Sequence, residues 1–188
     1  MTILDRFYEC SFNEDALLLD KIRDDTYNYD VTPIGAKVFA SMGVDGVHYC
    51  IVPKNDDITL ENSPIYRVSP MDFSEGTIIW TAKNFYDFIS VSIELKDFWA
   101  LPCLIGLEKD EFLDLLESYK YEFEVKEENE KKSILDNMKI LTKYFQPIKI
   151  PNIYEYVKES YSDKNNHVEL KFTIPDIVED KLGLYHIK

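Results

Sequence analysis

Between Ala36 and Pro53 the chain runs one β-branched and aromatic stretch, Lys37–Ser41, into another over residues 47–52. The loop between them holds Gly43, Asp45 and Gly46. Such residues suit a pleated strand, and glycine takes the positive φ that a tight reversal demands. A hairpin here commits the middle of the chain to a sheet. Ile65–Val68, stopped by Pro70, reads as a third strand, and residues 77–81 as a fourth. Few residues separate these runs, so an antiparallel meander is the simplest pairing.

Around this sheet the apolar spacing turns helical. Residues 13–25 read as an opening helix, capped by Asn13, with Glu14 and Asp15 at its positive end and Leu17, Leu18, Leu19 and Ile22 as its apolar face. Over residues 83–96, Phe85, Phe88, Ile89 and Ser92 share one side, which predicts a helix lying on the sheet. Residues 97–107 read as a short helical piece broken at Pro102, and 109–120 as a helix with Phe112, Leu115 and Leu116 inward. The charge-dominated run 122–132 reads as a solvated helix face or a linker. Ile134, Met138, Leu141 and Phe145 then fall at helical spacing until Pro147. Residues 148–151 and 168–174 read as extended, with a short helix over 153–159 between them. Val168, Leu170, Phe172 and Ile174 alternate with polar residues, the pattern of a strand buried on one face. The expected fold is α+β: a small, mostly antiparallel sheet flanked by helices, with a helical C-terminal extension. Residues 1–121 form its core, and 122–188 pack on that core.

Charge limits the partners. Thirty-five acidic side chains oppose 21 basic ones, a formal net charge of −14. That field repels phosphate backbones and anionic lipid, so neither nucleic acid nor membrane is an expected partner, whereas a basic protein is attracted. No basic region followed by an apolar run opens the chain, so no signal peptide is expected. Cys10, Cys50 and Cys103 are odd in number and widely spaced, which fits reduced thiols and a cytoplasmic location.

Few residue patterns point to chemistry. His48 and Cys50 lie two apart on an expected strand and so share a face, with Asp45 in the preceding loop to orient the imidazole. A cysteine hydrolase needs that set, yet a mid-strand cysteine serves equally as a small hydrophobe. His48, His167 and His186 are scattered with no ligand spacing, and no phosphate-binding glycine loop occurs. No metal or cofactor is expected. Phe85 and Phe88 read as core, while Trp80 and Trp99 read as core or as interface anchors.

Three segments carry a resemblance. Val38-Phe-Ala-Ser-Met-Gly-Val-Asp-Gly-Val-His-Tyr-Cys50, Ile65-Tyr-Arg-Val-Ser-Pro-Met71 and Ala82-Lys-Asn-Phe-Tyr-Asp-Phe-Ile89 resemble an uncharacterised bacterial family. The last of them is similar to the closing motif of the SUKH superfamily, which includes fungal cell-wall-synthesis regulators and many bacterial immunity proteins. The resemblance covers residues 31–107. The superfamily's early proline-tyrosine motif and asparagine-glycine-glycine turn have no counterpart here. What the resemblance implies is an α+β fold, with Phe85 and Phe88 packing a helix that Asn84 or Asp87 caps. It brings no catalytic residue.

The functional expectation is therefore a non-catalytic protein-binding module, an immunity protein that neutralises a basic toxin. Its partner-binding candidates are the loop acids Asp45, Asp56, Asp57, Glu61, Asp72 and Glu75. The alternatives are a small hydrolase using Cys50 and His48, and a regulatory scaffold whose helix over 134–145 docks a partner helix.

Overall fold

In the computed structural model, which describes residues 1–23, 29–54, 59–71 and 77–172, five strands form one antiparallel sheet in chain order. They are β1 (Asp20–Lys21), β2 (Lys37–Ser41), β3 (His48–Ile51), β4 (Ile65–Val68) and β5 (Ile78–Ala82). The meander is as expected, with β1 added at one edge. Between Val38 and Ala40 the register shifts, so that Phe39 and Ala40 in succession join the larger core. The turn between β2 and β3 needs Gly46: its φ is +71°, and a Cβ there would lie 2.5 Å from the Tyr29 hydroxyl.

One face of the sheet meets the helices. Helix α1 (Ile3–Glu9) was not expected. It starts on a capping box in which Thr2 and Asp5 bond each other's backbone N–H groups, and it buries Ile3, Leu4 and Phe7. The opening helix expected over 13–25 is only one turn long, α2 (Glu14–Leu17). Asn13 does cap it, but Leu18 takes a left-handed conformation and stays 65% exposed while Leu17 and Leu19 are buried. The reversal lets Asp20 and Lys21 pair with β2, and the Glu14 carboxylate accepts the Lys21 backbone N–H at 2.6 Å.

Helix α3 (Phe85–Leu95) lies where expected, capped by Asn84, and brings Phe85 and Phe88 against Phe39 and Tyr49. Pro102 does not break α4 (Ala100–Leu104). It falls in the first turn, where a missing N–H costs no helical bond. Helices α5 (Lys109–Val125), α6 (Glu128–Phe145) and α7 (Ile153–Ser162) follow. The charge run therefore spans the end of α5, a short joint and the start of α6. Ile134, Met138, Leu141 and Phe145 join the same core as Phe7 and Phe88, so that face of α6 is closed to a partner helix. The Arg6 guanidinium donates to the Tyr86 hydroxyl and the Tyr144 carbonyl, both at 2.8 Å, tying α1 to α3 and α6.

The other face of the sheet carries a smaller core of Cys50, Val52, Tyr66, Val68, Ile78, Trp80 and Phe172. Residues 168–172 cross it as an extended strap and form no strand. Val168, Leu170 and Phe172 turn inward, while Glu169 and Lys171 face out. Polar fastenings hold the strap: the Trp80 indole donates to the Asn166 carbonyl (2.9 Å), the Val168 N–H to the Tyr66 hydroxyl (3.3 Å), and the Ile34 N–H to the Lys171 carbonyl (2.7 Å). Positions 173–174 of the expected strand lie outside the described residues.

Candidate functional site

Alternation on β3 puts His48 and Cys50 on the smaller-core face, as expected, and both are completely buried. The His48 Nδ1 lies 2.8 Å from the Gly46 carbonyl, which can only accept, so Nδ1 carries the proton. Thr32 Oγ1, which already accepts the Tyr29 N–H, lies 3.1 Å from Nε2. With a neutral ring the Thr32 hydroxyl then donates to Nε2. Burial pushes the His48 pKa down and so favours that neutral form. The Tyr29 ring stacks on the imidazole at 5.6 Å. His48 thus fastens the loop at Tyr29 and Thr32 to the hairpin.

Cys50 has the reverse problem for a nucleophile. Burial alone pushes its thiol up to about 12, so it stays protonated at neutral pH and out of reach of solvent. Trp80 is likewise core, stacked on His167 at 5.4 Å.

A second polar cluster lies beneath α7. The buried Asp87 carboxylate accepts the Tyr156 hydroxyl, and Lys83 Nζ reaches that hydroxyl at 3.0 Å and Asp87 at 3.6 Å. Burial raises the Asp87 pKa, with Tyr156 and Lys83 pulling against the rise. The three groups satisfy one another and latch α7 to the start of α3. Among the described residues, no group of three His, Cys, Asp or Glu side chains is arranged to hold a metal ion, and no helix is long and apolar enough to cross a membrane.

The open charge lies elsewhere. Asp45 is exposed at the hairpin tip and Glu61 half-buried in a one-turn 3-10 helix. Asp56, Asp57, Asp72 and Glu75 lie outside the described residues. Helix α5 exposes six carboxylates, Asp110, Glu111, Asp114, Glu117, Glu122 and Glu124, against two lysines, Lys109 and Lys120. At 100° per residue Asp110, Asp114, Glu117, Tyr121 and Glu124 form one outward stripe, flanked by Leu113 and Val125. Tyr121 is 69% exposed and Val125 60%. Only Glu117 of the six is ion-paired among the described residues, to Lys120 at 2.6 Å.

Comparison with protein-family models, with curated proteins and with solved structures finds no match to this chain.

The candidate acids read from the sequence lie in expected loops and not on this helix. The signal was present in the helix read over 109–120, where Asp110, Asp114 and Glu117 recur at spacings of four and three. Chemically the arrangement can attract and orient a cationic surface, and its exposed tyrosine and aliphatic side chains offer area to bury against one.

Proposed function

We propose that this chain is a non-catalytic, cytoplasmic protein-binding module whose partner is a basic protein, in the manner of an immunity protein that occludes the cationic site of a toxin. The observation that carries the reading is the exposed surface of α5, where six carboxylates stand against two lysines, with Leu113, Tyr121 and Val125 exposed among them. A surface of that kind speeds encounter with a positive patch and then gives its apolar side chains something to pack on. The closed state of His48 and Cys50 agrees with it, since neither side chain is placed to act on a substrate. The segment over residues 82–89 that resembles the closing motif of the SUKH superfamily is in keeping with this reading.

The test is capture of basic proteins on the immobilised chain at low salt, followed by identification of what elutes as salt is raised. A salt-sensitive basic partner, lost when Asp110, Asp114 and Glu117 are changed together to lysine, is the expected result. Capture unaffected by that reversal, or no basic protein bound at low salt, would sink the reading.

A further inference from the structure

On the inner flank of α5 a cleft of about 330 Å³ opens between its C-terminal half, the end of α3 and the start of α6. Its walls include the partly exposed rings of Trp99 and Tyr119 and the buried ring of Phe123, beside the carboxylates of Asp15, Asp97, Glu122 and Glu130. Two ammonium groups share this space, and each has a place. Lys96 Nζ sits 4.2 Å from the centroid of Phe123, and Lys126 Nζ bonds Glu130 at 2.5 Å. Asp97 caps the start of α4, accepting the Trp99 and Ala100 N–H groups. Asp15 and Glu122 are exposed and have no ion pair among the described residues.

We infer that this cleft receives a lysine or arginine side chain of the basic partner, held between the Asp15 and Glu122 carboxylates and against the rings of Trp99 and Tyr119. Two observations select a cation as the occupant, and a third selects the partner that brings it. Carboxylates outnumber ammonium groups there four to two. An aromatic face in the cleft already holds an ammonium, that of Lys96, which is the attraction of a cation for a ring's negative face. Glu122 lies on the same helix as the acidic stripe, so a partner lying along α5 has a side chain within reach of the opening. A partner protein is favoured over a free amine because of that continuity, and the inference rests on the reading of α5 as the partner's surface.

The probe is a capped tri-arginine peptide titrated at low salt into the ¹⁵N-labelled chain, with a capped tri-glutamate peptide as control. The expected result is saturable shifts of the Trp99 indole N–H and of the Lys96 and Phe123 amides with the cationic peptide alone. In Asp15→Asn/Glu122→Gln, both exposed positions, affinity read at Trp99 drops about three- to tenfold. In Asp110→Asn/Asp114→Asn the Trp99 shifts persist. Shifts confined to Asp114, Glu117 and Tyr121, and unchanged by Asp15→Asn/Glu122→Gln, would overturn the cleft while leaving the α5 surface standing. Shifts at neither place overturn the cleft, and failure of salt-sensitive capture by the same protein then removes the α5 reading separately.

Discussion

The two faces of the sheet are closed by different means. On one, helices α1 and α3 bring Phe7, Phe85 and Phe88 against Phe39 and Tyr49, α6 adds Phe145 behind Phe85, and the contact is mainly apolar, with Arg6 as a polar tie between the helices. On the other, an irregular strap and the loop at Tyr29–Thr32 cover a small core, and the fastening is polar: Trp80 to Asn166, His48 to Thr32 and Gly46, Tyr66 to Val168. The difference teaches why polar aromatic side chains collect on one face of the sheet and not on the other. Strap backbone carries carbonyls and N–H groups that no ladder satisfies, so histidine, tyrosine and tryptophan gather there to satisfy them. The residue types resemble those of an active site because the accounting of buried polar groups is the same.

Removing the Phe88 ring should have the largest effect. Phe88→Ala leaves a cavity among Phe39, Tyr49 and Phe98 and should cost about 3–5 kcal/mol in urea unfolding. A cost under about 1 kcal/mol would mean that the helical face collapses around the gap as easily as a loop does, and the contrast between the faces would be lost.

Trp80→Phe acts on the strap. It keeps a ring but leaves the Asn166 carbonyl without its donor, and should cost about 1–3 kcal/mol. What sharpens the comparison is local opening. Cys50, a buried free thiol in the native protein, should label faster in Trp80→Phe than in a helical-face variant of equal global stability. Equal labelling in the two would show that both faces open as one unit.

The sequence revealed the helical face far better than the strapped one, for the same reason. Phe85, Phe88 and Ile89, or Ile134, Met138 and Leu141, repeat with the period of the element they build, because packing against a large core is what places them. Val168, Leu170 and Phe172 also alternate, and their one-sided burial was legible, but alternation cannot distinguish a strand hydrogen-bonded into a sheet from one laid across it. Leu18 defeated the pattern outright: three successive leucines fit a helix, and only the left-handed turn that β1 requires explains why the middle one points to solvent. Helix α1 is hard to read from sequence despite its capping box, since the box that Thr2 and Asp5 form opens a run of just seven helical residues. Of the site, the acidity was plain from composition, but its concentration on α5 depended on which residues of that helix the core would claim.

Acid should loosen the strapped face before the helical one. Because burial lowers the His48 pKa in the folded state, the unfolded chain binds the proton more readily. Its contribution to stability is present above the ordinary value of 6.5 and is lost as pH falls through the lower, folded value. A ring NMR titration should find His48 still mainly neutral, with the proton on Nδ1, at pH 6.5, and the urea midpoint should decline below that pH. Asp87 works in the opposite direction. Its raised pKa means that protonation favours the folded form, so its share of stability grows as pH falls from neutrality through the folded value towards 3.8. A His48 found fully protonated at pH 6.5 would mean that its corner is wet, and the strap would then be no barrier at all.

The smallest expected effect is the one that separates both faces from the proposed partner surface. Asp114→Asn combined with Glu117→Gln removes two exposed charges from α5, together with the pair between Glu117 and Lys120. That exposed pair is worth a few tenths of a kcal/mol, and relief of repulsion among neighbouring carboxylates offsets it, so stability should stay within about 0.5 kcal/mol. Salt-sensitive capture of a basic partner by the same variant should weaken markedly. A residue whose loss leaves the fold unchanged but costs the interaction is held in place by something other than folding. If stability instead fell by more than about 1 kcal/mol, the α5 carboxylates would belong to the architecture, as His48 and Trp80 do.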